Sequence, residues 1–229
     1  MEIIRGFVNT ILFLSLTAIW ATVAFVSLPF APGGHGLLFC SFLWGRTALP
    51  LCGVRVELRG AENLPSGSMI LMPNHASNID VPCLMSVIRN IRFVTKHTIK
   101  WIPVFGWGLW LAGFVFVNRK NRASAIKSLA VAAKRIRRHG HTTVIFPEGT
   151  RSRDGRLGAF KKGGFVLAME AKVPVVPVRV RGTRGVLPKG SALIRPGRVT
   201  IDVGEPVDVA MCETKEELMD RVRAALEGC

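Results

Sequence analysis

Between Gly6 and Gly45 the chain carries no charged residue, and FVNTILFLSLTAIWATVAFVSLPF fills positions 7 to 30. Coiled as a helix, that run extends about 36 Å, against a bilayer hydrocarbon core of about 30 Å. A second apolar stretch, GLLFCSFLWGRTALPLCG, follows the turn APGGHG and is interrupted only by Arg46. Two layouts satisfy this pattern: a single span, or a helical hairpin that enters a membrane and returns. A cleaved signal peptide does not satisfy it, because the apolar region is too long and the basic leader is Arg5 alone. The division expected is therefore a membrane anchor over 1–53 and a globular domain over 54–229.

Charge narrows what the globular part meets. The net charge is +16, yet it is unevenly spread: residues 1–201 hold 28 Lys/Arg against 7 Asp/Glu, whereas 202–229 hold 3 against 8. No acid occurs between Asp80 and Glu148, a stretch that holds twelve cations. Such a field attracts phosphate, and with positively charged segments retained on the inner side of a membrane it faces the domain to the cytoplasm. Nucleic acid is not expected: there is no helix-turn-helix, zinc-finger or ribonucleoprotein motif, no tyrosine, and Trp101, Trp107 and Trp110 stand among apolar neighbours. An anionic membrane is the partner that fits. The five cysteines show no CxxC pairing, which suits reduced thiols, and His139-Gly140-His141 lacks the further ligands a metal requires.

Beyond residue 53, short β-type runs alternate with helical patterns. VRVELRG, SMILMP, IRFVTK, FVFVN, TTVIFP, VVPVRVRG and RVTIDVG read as strands. DVPCLMSVI, residues 121–138, FKKGGFVLAMEAK and TKEELMDRVRAAL read as helices, the second with Ile126, Leu129, Ala130, Ala133 and Ile136 on one stripe. The fold class expected is α/β, a mixed central sheet flanked by helices, with the acidic last helix as a solvated cover. WIPVFGWGLWLAG interrupts the alternation with thirteen uncharged residues, readable as a buried core loop or as a surface that meets lipid or an acyl chain.

Three stretches carry chemistry. In PNHASNID, His75 leaves a strand end and Asp80 falls in the first turn of the next helix. A carboxylate there can hold one imidazole nitrogen and leave the other free to take a proton. FPEGTRS also follows a strand; its glycine permits a close turn, Thr150 and main-chain N–H groups can donate, and Arg151 offers a planar fork matched to phosphate. GFVFVNR ends a third strand with Arg119, a second candidate for the same anion. Ser77 or Cys83 could serve as a nucleophile beside His75, but the chain has no G-x-S-x-G elbow.

Together these stretches resemble the lysophosphatidic acid acyltransferase family, the bacterial 1-acylglycerol-3-phosphate acyltransferases. NHASNID matches the family's NHxxxxD block, and GFVFVNR, FPEGTRS and VPVVPV (173–178) match its second, third and fourth blocks in order. At Lys96-His97-Thr98-Ile99 the chain departs from the family's Lys-x-Glu-Leu run. The resemblance implies a cytoplasm-facing enzyme on the cell inner membrane that moves a fatty acyl chain to a lysophospholipid. His75 would be the general base and Asp80 its orienting partner. Glu148, Gly149, Thr150 and Arg151, with Arg119 and Lys96, would hold the acceptor's phosphate. Pro174 and Pro177 would shape the acyl-donor wall. Acyl-CoA or acyl carrier protein would be the donor, with no metal or organic cofactor. Glycerol 3-phosphate or a lyso-ornithine-type lipid are alternative acceptors, and a non-catalytic lipid-binding protein is the alternative of a different class.

Overall fold

All seven β-type runs become strands of one sheet in the computed structural model. It describes residues 1–28, 30, 34–102, 105–118, 122–152 and 154–228, with main chain alone at 105, 122–127, 138 and 139. The strands are β1 (Val54–Arg59), β2 (Met69–Pro73), β3 (Ile91–Lys96), β4 (Val115–Val117), β5 (Thr142–Val144), β6 (Val175–Arg181) and β7 (Gly197–Val203). Their order across the sheet is β1-β7-β6-β2-β5-β3-β4. From β6 to β4 every neighbour is parallel, while β7 runs antiparallel to β6 and carries β1 parallel to itself. The sheet is thus mixed, and the ends of β2, β3, β4, β5 and β6 open at the same edge as the starts of β7 and β1.

Helices cover both faces, as parallel strands demand when neither side can meet water. The helices are α1 (Glu2–Val26), α2 (His35–Leu51), α3 (Asp80–Val87), α4 (Phe105–Leu111), α5 (Arg122–His139), α6 (Lys162–Ala171), α7 (Thr183–Val186) and α8 (Lys215–Gly228). Strand β2 is buried at every position, and its pleat divides the two cores. Met69 and Leu71 join Leu49, Cys83 and Leu84 beneath α2 and α3. Ile70 and Met72 join Leu129, Ile136, Phe165, Leu218 and Val222 beneath α5, α6 and α8.

The acidic helix α8 does more than face solvent. Leu218, Val222 and Leu226 form an i, i+4, i+8 stripe and are fully buried, while the outer face keeps the charges. In α5 the buried stripe is Leu129, Ala132, Ala133 and Ile136; Ala130 turns outward, and the Ile126 side chain lies outside the described residues.

The two apolar N-terminal stretches form a hairpin. Trp20 Nε1 donates to Thr47 Oγ1 at 2.9 Å, and Trp44 Nε1 donates to Thr17 Oγ1 at 3.0 Å, so each helix answers the other's indole. At the open end, Asn9 Nδ2 donates to the carbonyls of Cys52 and Ile194. Gly45 lets α2 approach α3: a Cβ there would come within 2.7 Å of the Pro82 carbonyl oxygen. Leu38, Leu49 and Cys52 consequently belong to the same core as the sheet, so the boundary at 53 does not separate two packing units.

Helix α1 is the one described helix long and apolar enough to cross a membrane. Most of its surface is open, with Ile3, Ile4, Phe7, Ile11, Leu14 and Phe25 exposed. The tryptophans of the WIPVFGWGLWLAG stretch also face outward, Trp101 69% exposed, Trp107 56% and Trp110 50%, while Ala112 joins the core. Lys100 places its ammonium 5.5 Å from the Trp110 ring centroid, a cation seated on an apolar patch.

Candidate active site

Strand β2 ends at Pro73, and Asn74 turns the chain away from the sheet without leaving its neighbour bare. Its Nδ2 donates to Val180 O at 3.0 Å and its Oδ1 accepts from Val180 N at 2.7 Å, so a side-chain amide replaces one rung of the β2–β6 ladder. The loop that follows delivers His75 over the sheet edge and returns into α3 at Asp80.

There His75 Nδ1 lies 2.7 Å from Asp80 Oδ2. The same oxygen accepts from Ala76 N and Ser77 N at 2.9 Å each. Asp80 is fully buried; the three donors converge on Oδ2, while Oδ1 is buried without a hydrogen-bond partner among the described residues. A carboxylate can only accept, so Nδ1 carries the proton and Nε2 keeps its lone pair. The imidazole is 16% exposed, which leaves that nitrogen reachable. Phe146 stacks on the ring at 3.9 Å between centroids and 20° between planes, fixing the plane that the Asp80 bond does not.

The FPEGTRS turn is tied onto the histidine loop from above. Ser152 N donates to His75 O at 2.8 Å, and His75 N donates to Glu148 Oε1 at 2.8 Å. Gly149 adopts a positive φ of 69°, closing a turn in which its N–H returns to the Phe146 carbonyl. Arg151, next to Ser152, is half-buried, and its guanidinium forms no ion pair among the described residues. Lys189 Nζ donates to the Arg151 carbonyl at 2.6 Å, which places another cation beside the turn. Thr150 is exposed.

Other expected site residues are placed differently. Glu148 is buried, and its second oxygen accepts from Gly158 N at 2.9 Å. Both carboxylate oxygens therefore bind main chain, so Glu148 braces the loops against each other instead of facing an anion. Lys96 ends β3 at the same sheet edge and is exposed; Arg119 lies outside the described residues. Pro174 and Pro177 do not reach the histidine. Pro177 is buried within the sheet opposite Met72, and Pro174 precedes β6 at its far end, where its carbonyl accepts from Ile70 N. Six residues of strand separate that level from His75, roughly 20 Å.

The nucleophilic alternatives are disarmed. Ser77 is buried and donates its hydroxyl to Leu187 O at 2.6 Å. Cys83 is fully buried, and burial, then the Asp80 charge, pushes its thiol well above the ordinary range. Sequence reading missed Phe146 and Asn74 as site-builders although both stand inside quoted motifs. Their partners, a ring from β2's loop and a main-chain pair from β6, are visible only in three dimensions.

With this geometry in hand, the relatives become informative. Residues 55–181 match the Acyltransferase family model. The chain is 36% identical over 156 residues to the chloroplastic 1-acyl-sn-glycerol-3-phosphate acyltransferase BAT2 of Brassica napus, an alignment covering 67% of this chain and 45% of that one. It is 31% identical over 205 residues to the 1-acyl-sn-glycerol-3-phosphate acyltransferase of Pseudomonas aeruginosa, covering 86% and 79%. The chain spans about half the length of the chloroplastic and algal relatives it matches. Its fold superposes on the crystal structure of the 1-acyl-sn-glycerophosphate (LPA) acyltransferase PlsC from Thermotoga maritima with a TM-score of 0.85 and 30% identity, over 100% of this chain and 96% of that one. A domain match over more than half the sequence, and bacterial relatives aligned over most of their own length, settle its kinship: the chain belongs to the acyltransferase family of the 1-acyl-sn-glycerol-3-phosphate acyltransferases.

Proposed function

We propose that this chain transfers a fatty acyl group from an acyl thioester to the sn-2 hydroxyl of 1-acyl-glycerol-3-phosphate, giving phosphatidic acid. The observation that carries the reading is the 2.7 Å contact between His75 Nδ1 and Asp80 Oδ2, with the Arg151 turn bonded to the same loop. His75 Nε2 takes the proton of the acceptor hydroxyl as its oxygen attacks the thioester carbonyl. The C–S bond then breaks, and the departing thiolate receives that proton from the imidazolium. No acyl-enzyme forms, in keeping with the engaged Ser77 hydroxyl and the suppressed Cys83 thiol.

Acyl-CoA or acyl carrier protein supplies the thioester, and Arg151, with Arg119 and Lys96, takes the acceptor's phosphate. The unpaired Arg151 guanidinium favours a phosphate-bearing acceptor over a lyso-ornithine-type lipid. Proton transfer of this kind requires no metal or organic cofactor, so a chelator leaves the rate unchanged. The exposed apolar face of α1 and the tryptophan patch seat the protein in the cytoplasmic leaflet of the cell inner membrane, the hairpin dipping in and returning to the domain's side.

The test is thiol release from each donor in the presence and absence of lysophosphatidic acid. His75→Ala should lower the acceptor-dependent rate by about 10²–10⁴-fold while membrane association persists. Full activity in that variant, or no transfer by the wild type with either donor, would refute the reading. Equal rates with phosphate-free lysolipids would remove Arg151 from its assigned role.

A further inference from the structure

A cleft of about 440 Å³ lies on the β1 side of the sheet, across β7 and β6 from the strand that presents His75, lined by Arg5, Pro50, Gly53, Arg55, Gly197 and Arg198. Three elements far apart in sequence bring arginines to it: the first turns of α1, the start of β1 and the start of β7. Arg55 and Arg198 are direct partners in the β1–β7 ladder, and Arg5 Nη2 approaches within 3.7 Å of where a Cβ on Gly53 would stand.

Like charges directly opposite in a sheet destabilise it, and among the described residues only Glu57 offsets them in part, through its attraction to Arg198. Glu57 is engaged by Arg59 at 2.9 Å, and Asp202 by Arg181 at 2.6 Å. Among the described residues Arg5, Arg55 and Arg198 make no hydrogen bond or ion pair through their side chains. A concave surface with three convergent, unpaired guanidinium groups is complementary to a phosphate.

Its position decides which phosphate. Because β7 runs antiparallel to β6, its start lies at the same sheet edge as His75. Arg5 stands where the exposed apolar surface of α1 begins, with Ile3, Ile4 and Phe7 beside it. Arginines at that level meet lipid headgroups. We propose that Arg5, Arg55 and Arg198 form a second phosphate site that holds the headgroup of an anionic phospholipid, three strands and roughly 15 Å from the strand that presents His75. The proposal rests on the membrane placement given above. It assigns the cleft a docking role, in which a held headgroup sets the height and tilt of the sheet edge against the bilayer.

The test uses the full chain in nanodiscs of phosphatidylcholine, with or without a minor fraction of phosphatidic acid, followed by thermal unfolding. An Arg151→Gln background silences the anion site beside His75. Phosphatidic acid should raise the midpoint by ~2–4 °C in that background. The added pair Arg55→Gln and Arg198→Gln should abolish the rise, while the midpoint in pure phosphatidylcholine is no lower, since a repulsion has been removed. A merely structural role would lower that baseline and overturn the proposal. So would a rise that survives the pair, or one already lost in Arg151→Gln alone. Millimolar inorganic phosphate giving the full rise in neutral discs would show a soluble ion as the ligand and reject the lipid. Failure to enter neutral discs at all would reject the membrane placement, and this site with it.

Discussion

At the scale of single residues, four contacts fix His75: Asp80 sets its tautomer, Phe146 sets its plane, and Ser152 and Glu148 pin its main chain. Asp80→Asn keeps the shape but offers an amide where Ala76 N, Ser77 N and the ring all need an acceptor. An Asn oxygen standing where Oδ2 stands accepts from all three, but it carries no charge, so the imidazolium that forms when Nε2 takes the proton loses its stabilising partner. The expected loss in kcat is about 10²–10⁴-fold with KM little changed, read by steady-state kinetics. Cys83 gives an independent check on burial. A thiol pushed above its ordinary value of about 8.5 stays protonated in the folded state while the unfolded chain releases the proton, so its contribution to stability is whole below that pH and lost as pH rises beyond it. The peptide containing Cys83 should resist alkylation at pH 8 until the protein unfolds. Above pH 8.5, Cys83→Ala should flatten the decline of stability by up to about 1.4 kcal/mol per pH unit. Alkylation of folded protein at the rate of a free thiol would contradict both.

At the scale of elements, strand positions were legible because each run is short and most are rich in β-branched residues and bounded by glycine, proline or asparagine. β3 falls on IRFVTK residue for residue, and β1, β6 and β7 fall within a position of their expected limits. What remained hidden was how strands meet. The β7 reversal, the partner of β1 and the rung supplied by Asn74 follow from long-range pairing that periodicity does not encode. The same limit misplaced the prolines: VPVVPV reads as a motif in line with the others, yet parallel register carries Pro174 to the opposite end of the sheet. Asn74→Ala is the sharpest test of this level. It strips both partners from Val180 in a buried setting, which should cost about 2–4 kcal/mol and lower the unfolding midpoint in detergent, with acyl transfer falling as the histidine loop loosens.

For the whole molecule, the apolar surface of α1 and the three exposed tryptophans form the part that water does not suit. Phospholipids brominated on their acyl chains should quench tryptophan emission, and Trp107→Phe with Trp110→Phe should remove a measurable share of it. No change on that double substitution would mean that this patch stays out of the bilayer. The ladder between β1 and β7 has a further consequence, for the order in which the protein comes together. β1 emerges directly behind the hairpin, but the strand it pairs with, β7, lies far downstream. During synthesis the hairpin can already occupy lipid while β1 hangs beside it with an open edge, an arrangement that keeps a sticky strand tethered near a surface until the ribosome delivers β7.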